Sequence, residues 1–463
     1  MFPQERSTYQ YPPGPDADDP QYTGHLRRAA LAASVGSTLE YYDFTLYTLA
    51  SALIFGKVFF PALGPAAGVV ASLATLAVGF VARPVGGLFF GTLGDRLGRK
   101  WVLMVTIALM GGASTLIGVL PTGAQVGFWA PVLLVVLRFA QGFGAGAEQA
   151  GATTLMAEYA PVRRRGYYSG LPFVGIFAGA LLASAVFAVL GTLDQETLLG
   201  WAWRVPFLAS VILLAVAVYI RLRMRESPAF ADLEKHEQVA ERPFQELMRQ
   251  SRPTVLRGIG VRMAEVGGSY IYQTLSITYV TTLGVQSSIG PLAVAFGAAL
   301  GLVVVPIAGR ISDRYGRLPV YRAGAIFQLV FAPFAWWLLS LGNPVATVAV
   351  VTVSYGIGVS VMLGGQCPLL PELFGARHRY IGVATAREVS AVLGGGFGPL
   401  VGALLLGWFD NSPVPLAIFV AVLSVITLLT LHVTPETRAR DITLLGDALD
   451  DTEEQRAARP APS

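Results

Sequence analysis

Charged side chains are scarce in this sequence. Asp, Glu, Lys and Arg make up 13% of the 463 residues, whereas hydrophobic residues make up 54% and the mean hydropathy is +0.57. A soluble protein carries about a quarter charged residues, because its surface must face water. The shortage of charge therefore excludes a soluble globular chain and predicts an all-α polytopic membrane protein.

Cysteine and histidine are also rare. The single Cys367 has no partner for a disulfide, and His25, His236, His378 and His432 are scattered without metal-ligand spacing. No nucleophile–base pair or phosphate-binding loop is recognisable, so we expect no enzyme, no metal and no cofactor. The net charge of +4 comes from arginines in short loops, so nucleic-acid binding is not expected.

Apolar runs of about 20 residues, the length needed to cross the hydrocarbon core, recur along the chain. They predict twelve transmembrane helices in two six-helix bundles. The predicted spans are 29–53, 66–91, 101–120, 128–157, 167–190, 203–222, 255–282, 290–311, 320–341, 344–370, 380–407 and 413–433. The division that follows is a disordered tail 1–25, a bundle 26–223, a charged linker 224–252, a bundle 253–438 and a tail 439–463.

Arginines are concentrated in the loops on one side of the predicted spans. Arg27 and Arg28, Arg163 to Arg165, the linker and the C-terminal tail all fall on that side, whereas the opposite loops hold few charges. Basic loops stay in the cytoplasm during membrane insertion. Both termini are therefore expected to be cytoplasmic.

One charged motif occurs twice. Gly91–Lys100 and, about 218 positions later, Gly309–Leu318 both read Gly-x-x-x-Asp-Arg-x-Gly-Arg at the end of an apolar run. The glycine allows close helix packing, and the aspartate at the helix end can accept from backbone N–H groups that begin another helix. The loop residues of interest are Gly91, Asp95, Arg96, Gly98 and Arg99 in the first copy and Asp313, Arg314 and Arg317 in the second.

A second pair of residues repeats with nearly the same offset. Glu158 is followed seven residues later by Arg165, and Glu372 is followed seven residues later by Arg379. Two motifs repeating at matching positions indicate that the chain is an internal duplication of about half its length, as in transporters built from two six-helix halves.

Further motifs resemble the major facilitator superfamily and, within it, the metabolite:proton symporters. The resemblance covers about 26–438 and rests on Ser34-Val35-Gly36 with Glu40–Phe44, Arg83–Gly87, Arg138–Phe143, Trp203–Leu208, Arg225–Phe230 and Pro435–Thr437. It implies proton-driven uptake of a small organic acid such as shikimate, α-ketoglutarate or citrate. It also implies a monomer in the bacterial cytoplasmic membrane, in contact with lipids and powered by the proton gradient.

Ionisable residues within spans mark functional candidates, because a charge near mid-bilayer costs several kcal/mol unless it is paired or hydrated. The first span carries Glu40 and Asp43 on one helical face, and the fourth carries Arg138 and Glu148. The resemblance implies that Asp43 binds the coupling proton opposite Arg138, with Glu40 and Glu148 as alternative proton sites. A static ion pair between Asp43 and Arg138 is the structural alternative.

Substrate contacts are expected from the other polar residues of the spans. Arg83 has no acid nearby in sequence, so its guanidinium is the preferred ligand for a substrate carboxylate. Arg262 lies near Glu265 and Arg387 adjoins Glu388, so self-contained ion pairs are equally compatible with the sequence. The residues assigned to substrate binding are Arg83, Tyr42, Gln141, Arg262, Glu265, Tyr272, Gln273 and Arg387.

Alternating access is the expected mechanism, with the repeated loops and the Glu158, Arg165, Glu372 and Arg379 set forming a cytoplasmic gate. Three alternatives stay open. Proline or betaine uptake uses the same fold, although the short C-terminal tail shows no sustained heptads. Proton antiport of drugs or metabolites and a non-transporting membrane protein are the others.

Overall fold

The structure is a computed structural model that describes residues 20–97, 99–146, 148–223, 243–376 and 378–452. The predicted disordered tail up to residue 19, most of the predicted linker (224–242) and residues 453–463 lie outside the described residues. So do the single positions 98, 147 and 377. No strand occurs in the described part, which is almost entirely helical.

Twelve helical spans cross the described molecule, and they coincide with the twelve predicted spans. In the first half they are α1 (Pro20–Leu53), α2 (Gly64–Leu97), α3 (Arg99–Ile117), α4 (Trp129–Ala145 and Glu148–Tyr159), α5 (Arg165–Leu190) and α6 (Arg204–Arg223). In the second half they are α7 (Arg252–Tyr270 to Ser276–Thr282), α8 (Ile289–Tyr315), α9 (Arg317–Ser340), α10 (Pro344–Val353 to Ser360–Leu373), α11 (Arg379–Ser390 to Phe397–Trp408) and α12 (Val414–His432). The predicted all-α fold is confirmed.

The length and composition of the helices suit a membrane. Eight helical stretches in the described residues are long and apolar enough to cross a bilayer, and Met104–Ile117 and Trp129–Ala145 are shorter apolar helices. Their outward faces are apolar, with large side chains such as Val330, Trp408 and Leu429 exposed. Apolar surface of this kind is stable in contact with lipid.

Each half packs around its own helices, and the two halves meet along a few of them. In the first half α1 packs on α5 and α2 on α4; in the second α7 packs on α11 and α12, and α8 on α10. Across the interface α5 packs on α8, α2 on α11 and α1 on α7. The space between these interface helices is where the functional side chains lie.

One boundary differs from the sequence prediction. α1 begins at Pro20, so residues 20–25, which were assigned to the disordered tail, are helical. Leu26 and Ala30, which follow in the same helix, bury against Met156 and Tyr168. The described part of the C-terminal tail is also ordered against the second half, because its side chains Ile442, Leu444 and Ala448 are buried there. Apolar burial stabilises both segments.

Three spans of the second half contain a π-helical turn. These turns are Ile271–Leu275 in α7, Ser354–Val359 in α10 and Ala391–Gly396 in α11. A π turn places an extra residue in the helix and is frequent at functional sites. Because each α-helical residue advances by about 100°, one extra residue rotates the later side chains onto another face.

Glycines set the closest approaches between helices. A Cβ on Gly175 of α5 would overlap the Ser34 carbonyl oxygen of α1, and a Cβ on Gly142 of α4 would overlap that of Gly79 in α2. Gly309 in the second repeated loop lies in the same way against the Gly166 carbonyl oxygen of α5, as predicted. Small residues allow such contacts, which supply van der Waals energy that lipid cannot.

We predict that Gly175→Ala destabilises the protein by about 1–3 kcal/mol, because the added methyl group overpacks the contact between α1 and α5. Gly112→Ala in α3 is the matched control, since a Cβ there meets no atom within 4 Å. Thermal unfolding of the purified protein in detergent measures both. Equal melting temperatures for the two variants would show that this contact does not limit stability.

Candidate functional site

A small cavity of about 40 Å³ lies between the two halves. Its walls come from α1, α2 and α5 of the first half and from α7, α10 and α11 of the second half. The lining contains five charged side chains, which are Arg83, Arg262, Glu265, Arg387 and Glu388. All five are buried, with 3–6% of each exposed. A cavity at the interface of two related halves is the usual position of a transporter's binding site.

The charge of Arg83 is paired across the interface. Its Nε donates to Glu388 Oε2 at 2.8 Å and its Nη2 donates to Glu388 Oε1 at 3.2 Å. The guanidinium therefore binds the carboxylate in a bidentate manner. Glu40 of α1 is a second acid, 3.7 Å from Arg83 Nη2. Arg83 has no acid nearby in sequence, and a pair between Glu388 and its neighbour Arg387 was one of two open alternatives. Helix packing of α2 on α11 instead brings the Glu388 carboxylate to Arg83.

Arg262 and Glu265 form the pair that their spacing on α7 allows, at 3.2 Å. Glu265 also accepts from Gln366 Nε2 at 2.9 Å, and Arg262 Nη1 donates to the Arg387 carbonyl oxygen and to Ser390 Oγ. These bonds join α7, α10 and α11 within the second half. They hold one wall of the cavity as a rigid polar unit.

Aromatic side chains form a large part of the remaining surface of the cavity. The Arg387 guanidinium lies over the Phe173 ring at 5.1 Å. Phe80 and Tyr270 meet edge to face at 4.9 Å, and Phe177 packs against Tyr355 at 5.1 Å. Each of these three contacts joins the first half to the second. The cavity therefore offers charges of both signs and aromatic faces to a small molecule.

Asp43 and Arg138 lie in a separate polar network inside the first half. Asp43 Oδ1 accepts from the Ser210 hydroxyl at 2.5 Å, and the same carboxylate also interacts with the Ser114 hydroxyl. Ser114 accepts from Gln141 Nε2 at 2.6 Å, and Gln141 in turn accepts from Arg138 Nη1. Among the described residues Asp43 and Arg138 form no direct ion pair. The predicted pairing is absent here, because Gln141 and Ser114 lie between the two charges.

The positive charge of Arg138 is stabilised by contacts with aromatic rings and not by an ion pair with a described carboxylate. Its guanidinium carbon lies 4.6 Å from the Phe44 ring centre and 4.0 Å from that of Tyr47. Gly79 provides the space for this guanidinium, because a Cβ there would overlap Arg138 Nε. Phe44 also lies 5.0 Å from Arg83, so one ring contacts the cations of both networks. Such contacts contribute up to about 2 kcal/mol when desolvated.

Four residues predicted to bind substrate lie away from the cavity. Tyr42 is buried in the core where α1 meets α5, and Tyr41, one residue earlier on the helix, lines the cavity instead. Gln141 is held by the Asp43 network. Tyr272 stacks on Trp336 of α9, and Gln273 donates to Ser269. The π turn of α7 explains the last two cases, because a stripe counted at α-helical spacing does not continue through it.

The predicted substrate residues Arg83, Arg262, Glu265 and Arg387 do line the cavity. Glu388, Ser269 and Tyr355 line it as well and were not assigned to it from the sequence. Glu388 could have been found from the sequence, because a carboxylate within an apolar span marks a functional candidate. The side chain of Glu148, the fourth proton-site candidate, lies outside the described residues.

At one end of the interface the second repeated loop joins the halves. We call this end, which both repeated loops share, the latch end. Asp313 accepts from the backbone N–H groups of Gly166 and Tyr167 at 2.7 and 3.0 Å, at the start of α5. Asp313 also pairs with Arg317 at 2.8 Å. This is the geometry that the motif predicts for its aspartate, which stabilises a helix N-terminus.

The second repeated pair of residues crosses the interface at the same end. Glu372 accepts from Arg165 of the first half at 3.0 Å and from Arg317 of its own half at 3.0 Å. Arg379 pairs with Glu158 of the first half at 2.9 Å. The duplicated acid and base of the sequence thus pair across the halves, each acid with the other copy's arginine.

The remaining predicted gate residues are Arg314 and the members of the first repeated loop. The Arg314 guanidinium lies 5.4 Å from the ring of the neighbouring Tyr315. In the first repeated loop Gly91, Asp95 and Arg96 belong to the end of α2 and Arg99 starts α3, but the side-chain environment of this loop and the whole of Gly98 lie outside the described residues.

A C-terminal strap, residues 435–452, lies across the latch end. Glu436 accepts from the backbone N–H groups of Arg317 and Leu318 and so caps α9. Arg440 pairs with Asp451 at 2.7 Å, and both are buried. The strap carbonyl oxygens of Arg440 and Ile442 accept from Arg165 and Arg379, the two arginines that cross the interface. The strap therefore completes the hydrogen bonding of the latch.

The halves also touch at the opposite end. Ser287 Oγ, between α7 and α8, donates to the Gly191 carbonyl oxygen at 3.2 Å, and Thr278 Oγ1 donates to the Ala52 carbonyl oxygen at 3.4 Å. These are hydroxyl-to-carbonyl contacts without ion pairs. The described interface is therefore held by charge at the latch end and by weaker polar contacts at the other end.

We predict that Glu372→Gln opens the latch end. Loss of the charge leaves Arg165 and Arg317 buried without their shared carboxylate, and breaking a buried pair costs about 3–5 kcal/mol. Hydrogen exchange of the Gly166 and Tyr167 amides, which Asp313 protects, should become faster.

The matched control is Glu158→Gln, because the Glu158 side chain is 22% exposed and its pair with Arg379 is partly hydrated. A smaller acceleration is expected for this variant. Unchanged exchange in Glu372→Gln, or an equal change in both variants, would contradict a central role for Glu372.

The sequence also has clear relatives. Residues 33–387 match the family model described as "Major Facilitator Superfamily". The chain is 37% identical to the "Putative transporter YdfJ" of Escherichia coli (strain K12), covering 91% of this chain and 100% of that protein. It is 35% identical to the "Shikimate transporter" of the same strain, covering 85% and 91%. It is 33% identical to its "Proline/betaine transporter", covering 94% and 88%.

Solved structures share the fold. A crystal structure of a "D-xylose-proton symporter" superposes with a TM-score of 0.69, covering 89% of this chain and 98% of that one at 19% sequence identity. An inward-open structure of the xylose transporter XylE from E. coli superposes with a TM-score of 0.67 at 18% identity. These likenesses agree with a twelve-helix, two-bundle architecture.

Proposed function

This chain belongs to the Major Facilitator Superfamily, and we propose that it is a proton-coupled symporter that imports a small organic acid by alternating access. Its relatives are named as transporters and not as enzymes. The single observation that supports the substrate class is the cavity between the halves, whose lining has three arginines and two glutamates. Guanidinium groups bind carboxylates through paired hydrogen bonds.

A zwitterion such as proline or a betaine is the second candidate. Counting Glu40, which contacts Arg83, the charges around the cavity balance. Phe173, Tyr270 and Tyr355 also line the cavity, and aromatic faces attract quaternary ammonium groups. A relative named as a proline/betaine transporter is as extensively covered as the shikimate relative. Proton antiport has no comparable support from the cavity.

Alternating access follows from the two contact regions of the interface. The latch end, which carries the basic loops, is proposed to face the cytoplasm, with both termini on that side of a bacterial cytoplasmic membrane. Opening of the latch end and of the opposite end in turn exposes the cavity to each side. One chain contains both halves and the whole cavity, so a monomer embedded in lipid suffices for transport.

The function is tested with the full-length protein in proteoliposomes under an imposed pH gradient. Separate assays offer mono-, di- and tricarboxylates, shikimate, proline and betaine, and both substrate uptake and proton flux are recorded. Uptake of an organic acid together with protons is expected. Exclusive uptake of proline or betaine would replace the organic-acid assignment, and absence of all uptake would refute the proposal.

Asp43 is the proposed carrier of the coupling proton, since it is a carboxylate buried among hydroxyl groups in the first half. We predict that Asp43→Asn abolishes proton-driven accumulation, because an amide cannot bind and release a proton. Exchange of labelled for unlabelled substrate should persist, because the cavity does not include Asp43. Both rates are measured in the same proteoliposomes.

The control for this variant is Asp194→Asn. Asp194 is exposed and accepts from the Thr197 backbone N–H at the start of a short helix, a role that asparagine also fills. Accumulation should match the unmodified protein. If Asp43→Asn still concentrates substrate against its gradient, the proton site lies elsewhere.

A further inference from the structure

Arg83 and Glu388 differ from the other ion pair of the cavity. Arg262 and Glu265 pair on one helix, whereas Arg83 and Glu388 belong to opposite halves and meet inside the cavity. Arg83 donates two hydrogen bonds, at 2.8 and 3.2 Å, to the two Glu388 oxygens. We call this pair the central clasp. It places a carboxylate of the protein where a carboxylate substrate in the cavity would meet the same arginine.

We propose that Glu388 is a resident substitute for the substrate's carboxylate, and that it takes up a proton when the substrate displaces it from Arg83. The inference rests on the proposed transport of an organic acid. It names Glu388 as a second proton-binding residue, besides Asp43, whose proton uptake is linked to binding of that acid in the cavity. The two carboxylates offer Arg83 the same pair of acceptors. Arg83 therefore remains fully bonded after the exchange, and only Glu388 loses its partner.

The charge balance of the cavity explains why Glu388 takes up a proton when a carboxylate binds. Six charged groups face one another from α1, α2, α7 and α11, and the neutral titratable groups lining the cavity beside them are Tyr41, Tyr270 and Tyr355. The charged groups are Arg83, Arg262, Arg387, Glu40, Glu265 and Glu388. Their formal charges sum to zero. A bound carboxylate leaves one excess negative charge at a buried interface, which costs several kcal/mol.

The displaced Glu388 finds no unshared cation nearby. Arg262 is engaged by Glu265, Ser390 and the Arg387 carbonyl oxygen. Arg387 interacts electrostatically with Glu265 as well as with Glu388, so the two acids share one cation. Protonation of a Glu388 oxygen restores the neutral total. The proton comes from the aqueous compartment to which the cavity is open, and no covalent bond other than the new O–H changes.

The exchange also connects binding to movement. While Glu388 holds Arg83, α2 and α11 are joined across the interface. When the substrate takes the place of Glu388 and the proton neutralises it, this direct bond between the halves is absent. Substrate without a proton leaves an unpaired charge, and a proton without substrate leaves Arg83 with Glu40 alone at 3.7 Å. Both partial states are disfavoured, as coupling requires.

The test measures ligand binding to the purified full-length protein as a function of pH. The probes are shikimate, citrate, α-ketoglutarate and glycine betaine, each added alone. For a carboxylate that binds, one linked proton makes the Kd rise about tenfold per pH unit across the neutral range. In Glu388→Gln the amide releases Arg83 without a proton, so the Kd should be independent of pH and lower than that of the unmodified protein at alkaline pH.

Two further variants separate this role from a structural one. Glu388→Asp keeps the carboxylate and should keep the dependence on pH. Asp194→Asn removes an exposed carboxylate outside the cavity and should keep both the Kd and the slope of the unmodified protein. Infrared difference spectra of the unmodified protein add a signal that needs no variant to fold. A protonated carboxyl band should appear on ligand addition and shift in Glu388→Asp.

Each outcome is decisive. If a carboxylate binds with a Kd that does not depend on pH, or if the dependence on pH survives in Glu388→Gln, the proposed exchange of carboxylates on Arg83 is wrong. The proposed transport function is not affected by either result. Glycine betaine as the sole ligand overturns the exchange together with the organic-acid assignment, since a zwitterion adds no net charge. Absence of binding by every probe overturns both. A dependence of the Kd on pH that is lost in Glu388→Gln and kept in Glu388→Asp and Asp194→Asn supports the exchange.

Discussion

The pairing of buried charges is the constraint on which this structure depends. A lone charge inside a membrane protein costs several kcal/mol, so each one needs a partner or water. In this chain several partners belong to opposite halves. Among the residues that the structure describes, the pairs that cross the interface are Arg83–Glu388 in the cavity and Arg165–Glu372 and Arg379–Glu158 at the latch end. The halves can therefore separate at either level only if other groups replace the lost partners, and the cavity is built to receive such a group.

Duplication supplied the latch, and a segment outside the duplication completes it. Arg165 and Arg379 occupy equivalent positions of the two halves, and each crosses to an acid of the other half. Each also donates to a carbonyl oxygen of the C-terminal strap, which follows the second half only. A guanidinium has five N–H donors, and one carboxylate cannot satisfy them all. The strap provides the missing acceptors, and its Arg440–Asp451 pair holds it in position.

Local patterns predicted most of the fold and only part of the site. Apolar runs located the twelve spans, and three-residue spacing gave the Arg262–Glu265 pair as one of two alternatives, because both depend on near neighbours in sequence. The central clasp joins residues 305 positions apart, so only packing of α2 on α11 reveals it. Tyr42 was chosen where its neighbour Tyr41 lines the cavity, since a shift of one residue turns a helix by about 100°. The π turn in α7 displaced Tyr272 and Gln273 for the same reason.

The Asp43–Arg138 network and the central clasp are separate, so proton binding at one and substrate binding at the other require a physical connection to be coupled. Among the described residues Asp43 is connected to Arg138 through Ser114 and Gln141, inside one half, whereas the clasp lies between the halves. Phe44 is the contact that the networks share, because its ring lies 4.6 Å from the Arg138 guanidinium and 5.0 Å from that of Arg83. Phe44 adjoins Asp43 on α1, so displacement of this helix turn changes both cation contacts together. A tightly packed ring transmits such a shift because interiors have little free volume. Coupling between a proton site in one half and a clasp between the halves thus has a direct physical route.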